Sequence, residues 1–241
     1  MMKRNNFPFS AVLGLNHAKT AILIVLVNPR AGGLLISGPR GIGKSTLMRS
    51  TQELIERPWR DIPVSVTEDR LFGTIDTEKA IYSGQKKLYP GIINEADQGV
   101  LYLDDANLLR EDLLDSILNI AEVGAYQLER DGLSLRCDTS FTVIAAINPE
   151  SGMLSGACLD QFGLFVNVDN IHDENTRVEI LKRTISFEKD CASFCKLWKL
   201  ENEKIKKAIH SAMSLLPKVV VSSAMIQLAS VYASVSYTHL R

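Results

Sequence analysis

Residues 38–46, GPRGIGKST, bring three glycines, a lysine and two hydroxyl side chains together directly behind the apolar run GLLIS. Gly38, Gly41, Gly43, Lys44 and Ser45 fit the pattern G-x-x-x-x-G-K-[ST], and each residue type has a reason to be there. Glycines let backbone N–H groups close around phosphate oxygens, and a following helix N-terminus adds positive potential. Lys44 can reach the β and γ phosphates of a nucleotide, and Ser45 can hold Mg²⁺. Pro39, Arg40, Ile42 and Thr46 complete the expected nucleotide-binding loop. A Gly-rich turn can also be a plain tight connection, so the surrounding elements must decide.

A phosphate loop needs an acid on a neighbouring strand to hold the metal through its water shell. The stretch GVLYLDDANLL supplies two, Asp104 and Asp105, behind four apolar residues. Asp104 is expected on the metal side and Asp105 is placed to polarise an attacking water. Its carboxylate, one methylene shorter than that of glutamate, would sit about 1 Å further from that water, a distance that matters in positioning catalysis. The alternative is that both acids merely cap a helix beginning near Asn107. A third apolar run, TVIAAINPE, ends in Asn148, a neutral side chain able to orient water against a γ phosphate, although Asn-Pro also simply ends strands.

Short apolar runs alternate with longer amphipathic stretches, the rhythm of a parallel sheet wrapped by helices. The expected class is α/β, with interior strands at 34–37, 100–103, 141–147 and 164–168. Helices are expected at 44–55 and 107–123, the latter carrying Leu109, Leu113, Ile117 and Ala121 as one apolar stripe. Two alternating runs flank Asp131 and Gly132, which supply the positive φ angles of a type I′ hairpin turn. Past residue 170 the strand signal stops and three helical patterns follow. The expected division is an α/β core over 1–170 and a small helical domain over 171–241. The closing SYTHLR does not continue the helical pattern cleanly, which reads as a truncated chain or an assembly scar.

At 241 residues with 46% hydrophobic and 23% charged side chains and a formal net charge of -1, the composition is that of an ordinary globular protein. It has no basic excess of the kind nucleic acid or an anionic membrane would favour. Lys3 and Arg4 precede the apolar run AILIVLV in the manner of a signal peptide. That run is too short to span a membrane and is followed by NPRAGG, the strand and then the glycine loop, so a buried helix is the better reading. Four cysteines without a regular framework point to the reducing cytosol, and Cys191 and Cys195 have the wrong spacing for a zinc knuckle.

The stretches NPRAGGLLISGPRGIGKST, TEDRLFGTIDTEKAIYSGQKKLYPGIINEADQGVLYLDDANLL, ERDGLSLR and AAINPESGMLSGACLDQFGLFVNV occur in order. Together they resemble the ATPase subunits of magnesium chelatase, a branch of the AAA+ superfamily, over residues 7–168. The resemblance implies a five-stranded AAA+ core with a helical lid, binding ATP and Mg²⁺. It implies a ring of such subunits that drives Mg²⁺ insertion into protoporphyrin IX on a large porphyrin-binding catalytic subunit. On it, residues 38–46 form Walker A, Asp104 and Asp105 form Walker B, Asn148 is sensor 1, and the hairpin around Asp131 is the insert of this branch.

Three departures accompany these matches. Gln161 in LDQFG stands where the family places the arginine that reaches the neighbouring subunit's ATP site, Asp105 stands where glutamate is usual, and VVVSSAMIQLA lacks the sensor 2 arginine. A finger arginine is worth several orders of magnitude in phosphoryl-transfer rate. Together the departures resemble the family's other AAA+ subunit, which keeps the nucleotide pocket and hydrolyses little alone. A chaperone-like ATPase of the related MoxR branch and a structural ring member that binds ATP without turning it over are the alternatives. On every nucleotide-binding reading, Lys44→Ala abolishes Mg-ATP binding in a calorimetric titration, and unchanged affinity would make the loop a mere turn.

Overall fold

The computed structural model describes residues 6–75, 88–130 and 133–239. Its centre is a five-stranded parallel sheet in the order β2-β5-β8-β1-β9, formed by β1 (Leu34–Ser37), β2 (Trp59–Ile62), β5 (Val100–Leu103), β8 (Thr142–Ile147) and β9 (Leu164–Asn167). Two-stranded antiparallel pairs join β3 (Gly73–Ile75) to β4 (Leu88–Pro90) and β6 (Ala125–Arg130) to β7 (Leu133–Asp138). The latter is the expected hairpin. Its turn residues, Asp131 and Gly132, lie outside the described residues.

The three central strands β5, β8 and β1 are buried along their whole length, as continuous apolar runs in parallel sheets require. Alternate residues feed two cores. Leu35, Leu101, Leu103, Val143 and Ala145 face one side, packed by the helix α5 (Glu111–Val123), while Leu34, Ile36, Tyr102, Ile144 and Ala146 face α1 (Asn16–Val27) and α2 (Lys44–Ser50) on the other. The N-terminal apolar run is thus a buried sheet-covering helix, with Ile22, Val25 and Leu26 inside.

The shorter helices are α3 (Glu68–Phe72), α4 (Ile92–Glu95) and α6 (Gly156–Asp160), and the chain continues through α7 (Glu174–Lys189), α8 (Cys191–Leu215) and α9 (Ser223–His239). α7 and α8 dock on the N-terminal segment through an aromatic cluster in which Phe7 lies 5.1 Å from Phe187 and 5.3 Å from Phe194 between ring centroids. No single helix among the described residues is long and apolar enough to cross a membrane, although α8 with its continuation to Lys218 passes by length and composition together with α9 across a 105° bend.

The structure corrects several sequence expectations. β9 is an edge strand with Phe165 55% exposed, whereas an interior strand was expected. β2 had no sequence signal because, as the opposite edge, it buries little beyond Ile62. The expected helix 44–55 ends at Ser50 and tightens into a 3₁₀ turn over Thr51–Glu53. The expected helix 107–123 starts only at Glu111, after a 3₁₀ turn over Ala106–Leu108, and Leu109 reaches the core from the extended link between them. α8 carries Cys191 and Cys195 in its first two turns. α9 runs on through Tyr237 to His239, so most of the closing segment is helical after all.

Ile117 is fully buried in the core beneath α5, whereas Leu197 is 74% exposed on α8. Ile117→Ala should cost about 3 kcal/mol through lost burial and the cavity left behind. In thermal unfolding, its midpoint should fall by about 10 °C, with that of Leu197→Ala almost unmoved.

Candidate functional site

The strand registers bring the candidate residues to one edge of the sheet. Ser37 pairs with Ile147, while Leu103 pairs with Ala145, which itself pairs with Leu35. Gly38 and Asn148 therefore leave the sheet at the same level, and Asp104 and Asp105 leave it beside them on β5. The Gly38 amide donates to the Ile147 carbonyl at 3.2 Å, extending the ladder into the loop.

Glycine at 38 is a steric necessity. A Cβ there would stand 2.5 Å from the Val168 carbonyl oxygen and 2.6 Å from its Cγ2. At Gly43 the need is conformational, since φ of 92° at the start of α2 is a region that side chains with a Cβ rarely adopt. Lys44, 8% exposed, folds back over the loop and donates to the Gly38 carbonyl at 2.6 Å and the Pro39 carbonyl at 2.8 Å. Burial lowers its pKa, opposed by Asp105 and Asp104 and reinforced by the Arg40 guanidinium.

Ser45 Oγ donates to Asp104 Oδ1 at 3.0 Å, joining the loop to the end of β5. Arg49 Nη2 lies 3.9 Å from the other Asp104 oxygen. Behind this pair Tyr102 is fully buried, and desolvation, with the Asp104 carboxylate adding to it, raises its pKa far above the ordinary phenol value. Its hydroxyl lies close to Asp104 and Ser45, yet finds no hydrogen-bond partner of acceptable geometry among the described residues. A carboxylate beside a hydroxyl supplies the hard oxygen acceptors that suit a hydrated Mg²⁺. Asp105 has φ 51° and ψ 50°, and its side chain makes no capping hydrogen bond. The helix-cap alternative for Asp105 does not hold, because α5 begins at Glu111 after Arg110.

Asn148 is 2% exposed. Its Nδ2 donates to Ser151 Oγ at 3.2 Å, and its Oδ1 accepts from the Glu150 amide at 3.2 Å. Asn107, which the sequence reading did not single out as a site residue, holds this turn in place. Its Nδ2 donates to the Asn148 carbonyl at 3.1 Å and to the Gly152 carbonyl at 2.9 Å, tying the turn after β5 to the turn after β8. Arg40 reaches the same turn from the loop, with Nη2 3.4 Å from Ser151 Oγ.

A cleft of about 810 Å³ opens on the other side of the loop. Gly41, Ile42, Gly43 and Thr46 form one wall, Phe7, Val12 and Leu13 a second, and Ile171 and His172 before α7 with Ile180 on it close the third. Apart from the loop residues, none of this lining was foreseen. The available signal was the apolar run around Phe7 to Leu13, which belongs to no regular element long enough to register as periodic.

Comparison with known proteins supplies the family. The family described as AAA domain (dynein-related subfamily) matches residues 33–161. The magnesium-chelatase 38 kDa subunit of Chlorobaculum tepidum is 34% identical over 91% of this chain and 67% of its own length, and that of Rhodobacter capsulatus 35% identical over 88% and 70%. A magnesium-chelatase subunit ChlI homolog of Methanocaldococcus jannaschii is 33% identical over 95% and 73%. A solved structure of the complex between subunits BchI and BchD of magnesium chelatase matches with a TM-score of 0.65 and 35% identity, over 89% of this chain and 77% of that one. The chain belongs to the magnesium-chelatase family of AAA ATPase subunits.

The family's five-stranded α/β core and the helical region after it are both present. Gln161, which the resemblance sets at the family's arginine position, follows α6 half-buried, donates to the Ala157 carbonyl at 3.4 Å, and is not among the residues lining the cleft beside its own loop. Cys158, nearby and buried, donates to Asp115 Oδ1 at 2.9 Å; burial and that carboxylate raise its pKa.

The Asn107 clamp is testable without nucleotide. Asn107→Asp replaces an N–H donor facing two carbonyls with a carboxylate, at a cost of about 2 kcal/mol at neutral pH. A carboxylate so placed has its folded-state pKa raised, so the penalty grows as pH rises and shrinks on acidification. In urea unfolding, the stability gap between parent and variant should therefore be smaller at pH 5 than at pH 7.5.

Proposed function

We propose that this chain binds Mg-ATP at residues 38–46 and, as one AAA subunit in a ring of chelatase subunits, couples the nucleotide to Mg²⁺ insertion into protoporphyrin IX on a large porphyrin-binding catalytic subunit. The observation that carries the nucleotide reading is the 3.0 Å bond between Ser45 and Asp104, with Lys44 held over the same loop. The family resemblance carries the rest, including the partner subunits. Membership of the complex named for the BchI–BchD structure is the model for those partners.

In this reading the base and ribose occupy the cleft lined by Phe7, Val12 and His172. Bound Mg²⁺ supplies charge neutralisation at the β and γ phosphates. Ser45 and Asp104 would hold it. Lys44 leaves the loop carbonyls for the phosphates. Asp105 draws a proton from the attacking water and Asn148 orients that water. Residues 1–170 serve as the nucleotide-binding core and 171–241 as the lid that closes over it, in the cytoplasm.

The relatives above are named for the 38 kDa or ChlI subunit, yet Gln161 and Asp105 favour a subunit that turns ATP over slowly by itself. In a head-to-tail ring each site is completed by its neighbour. Gln161 thus impairs the adjacent site and leaves this chain's own site open to a partner's arginine. Steady-state phosphate release by the assembled protein, with assembly checked by light scattering, tests this. Gln161→Arg should raise the rate about tenfold or more, and adding Asp105→Glu should raise it further. A parent rate of about 1 per second or faster would make this chain a competent motor by itself and end the slow-subunit reading.

A further inference from the structure

The roles assigned so far leave one cation of the glycine loop unused. Arg40 is exposed, and among the described residues its guanidinium has one hydrogen-bond partner, the neutral Ser151 hydroxyl, at 3.4 Å. That is the long end of a hydrogen bond, whereas a guanidinium is built for bidentate pairing with an oxyanion. Its position is informative. The loop turns Gly41, Ile42, Gly43 and Thr46 toward the cleft, and Arg40 is absent from that lining. It points instead across the sheet edge to the turn that carries Asn148, whose Nδ2 donates to the same Ser151 oxygen at 3.2 Å. Arg40 also lies near enough to Lys44 to depress its pKa, after burial and against the two acids. The guanidinium therefore stands at the end of the loop away from the nucleoside cleft, where the last phosphate of a bound chain would lie.

We propose that Arg40 is a ligand of the terminal phosphate, exchanging Ser151 for the γ-phosphate of a bound nucleoside triphosphate and so distinguishing triphosphate from diphosphate. The proposal rests on the nucleotide reading above and extends it. Two weak contacts to one hydroxyl make the exchange favourable: Arg40 gains a charge-assisted fork, and Ser151 is left to Asn148 alone. The γ-phosphate then has a second cation from its own subunit beside Lys44, independent of any arginine from a neighbour.

The test is calorimetric titration of the full chain with Mg-ADP and with the Mg complex of a non-hydrolysable β,γ-imido ATP analogue, in the parent, Arg40→Ala and Arg40→Lys. The preference for the triphosphate should fall about tenfold in Arg40→Ala, the loss of one charge-assisted bond to phosphate. Most of that fall should come from weaker analogue binding, with ADP affinity changed by less than about threefold. Arg40→Lys, a point charge without the fork, should keep part of the preference. Equal weakening of both nucleotides in Arg40→Ala, or an unchanged preference in both variants, overturns the role of Arg40 while leaving nucleotide binding intact. A parent that binds neither nucleotide overturns the underlying reading and this one together.

Discussion

The registers of three buried strands, β5, β8 and β1, hold everything else in place. Because each strand is packed on both faces, a one-residue slip in any of them would exchange the side chains that fill the two cores and upset the packing of both. Leu103 opposite Ala145 and Ser37 opposite Ile147 are thus fixed by packing together with the backbone ladder. Gly38, Asp104–Asp105 and Asn148 follow the last buried residues of those strands, Ser37, Leu103 and Ile147, so their mutual positions are inherited from the core. The polar groups need only be the right length for gaps that the hydrophobic interior has already set.

Within that frame the electrostatics are closely balanced. Lys44 is pushed toward neutrality by burial and pulled back by two carboxylates, while Asp104 is contacted by Ser45 and approached by Arg49. Each charge is held by a partner that a nucleotide or its metal can replace, and this suits a site whose net charge changes when it fills. Asn107 is different in kind, since its two bonds go to backbone carbonyls and hold geometry without competing for the ligand.

Much of this was visible in the residues. The interior strands were legible because full burial writes an unbroken apolar run, and the glycine loop because its chemistry requires particular residue types at fixed spacing. The edge strands were not: β9 shows one face to solvent, and Trp59–Ile62 includes Arg60 and Asp61, so its membership of the sheet depends on pairing with β5 and leaves little trace in local pattern. Leu109 misled for a related reason. It falls on the periodicity of α5 but reaches the core from an extended link. Asn107 and the cleft lining were hidden because their contacts cross between turns far apart in the chain. Arg40 was legible as a loop residue, but its reach to Ser151 depends on residues 111 positions away.

Asp105 occupies the left-handed region of backbone space, which aspartate and asparagine tolerate better than longer side chains. The shorter acid thus relaxes the main chain at the place where it shortens the reach toward solvent. A glutamate here would extend the carboxylate and tighten the turn beneath it, setting conformational ease against catalytic reach at a single residue.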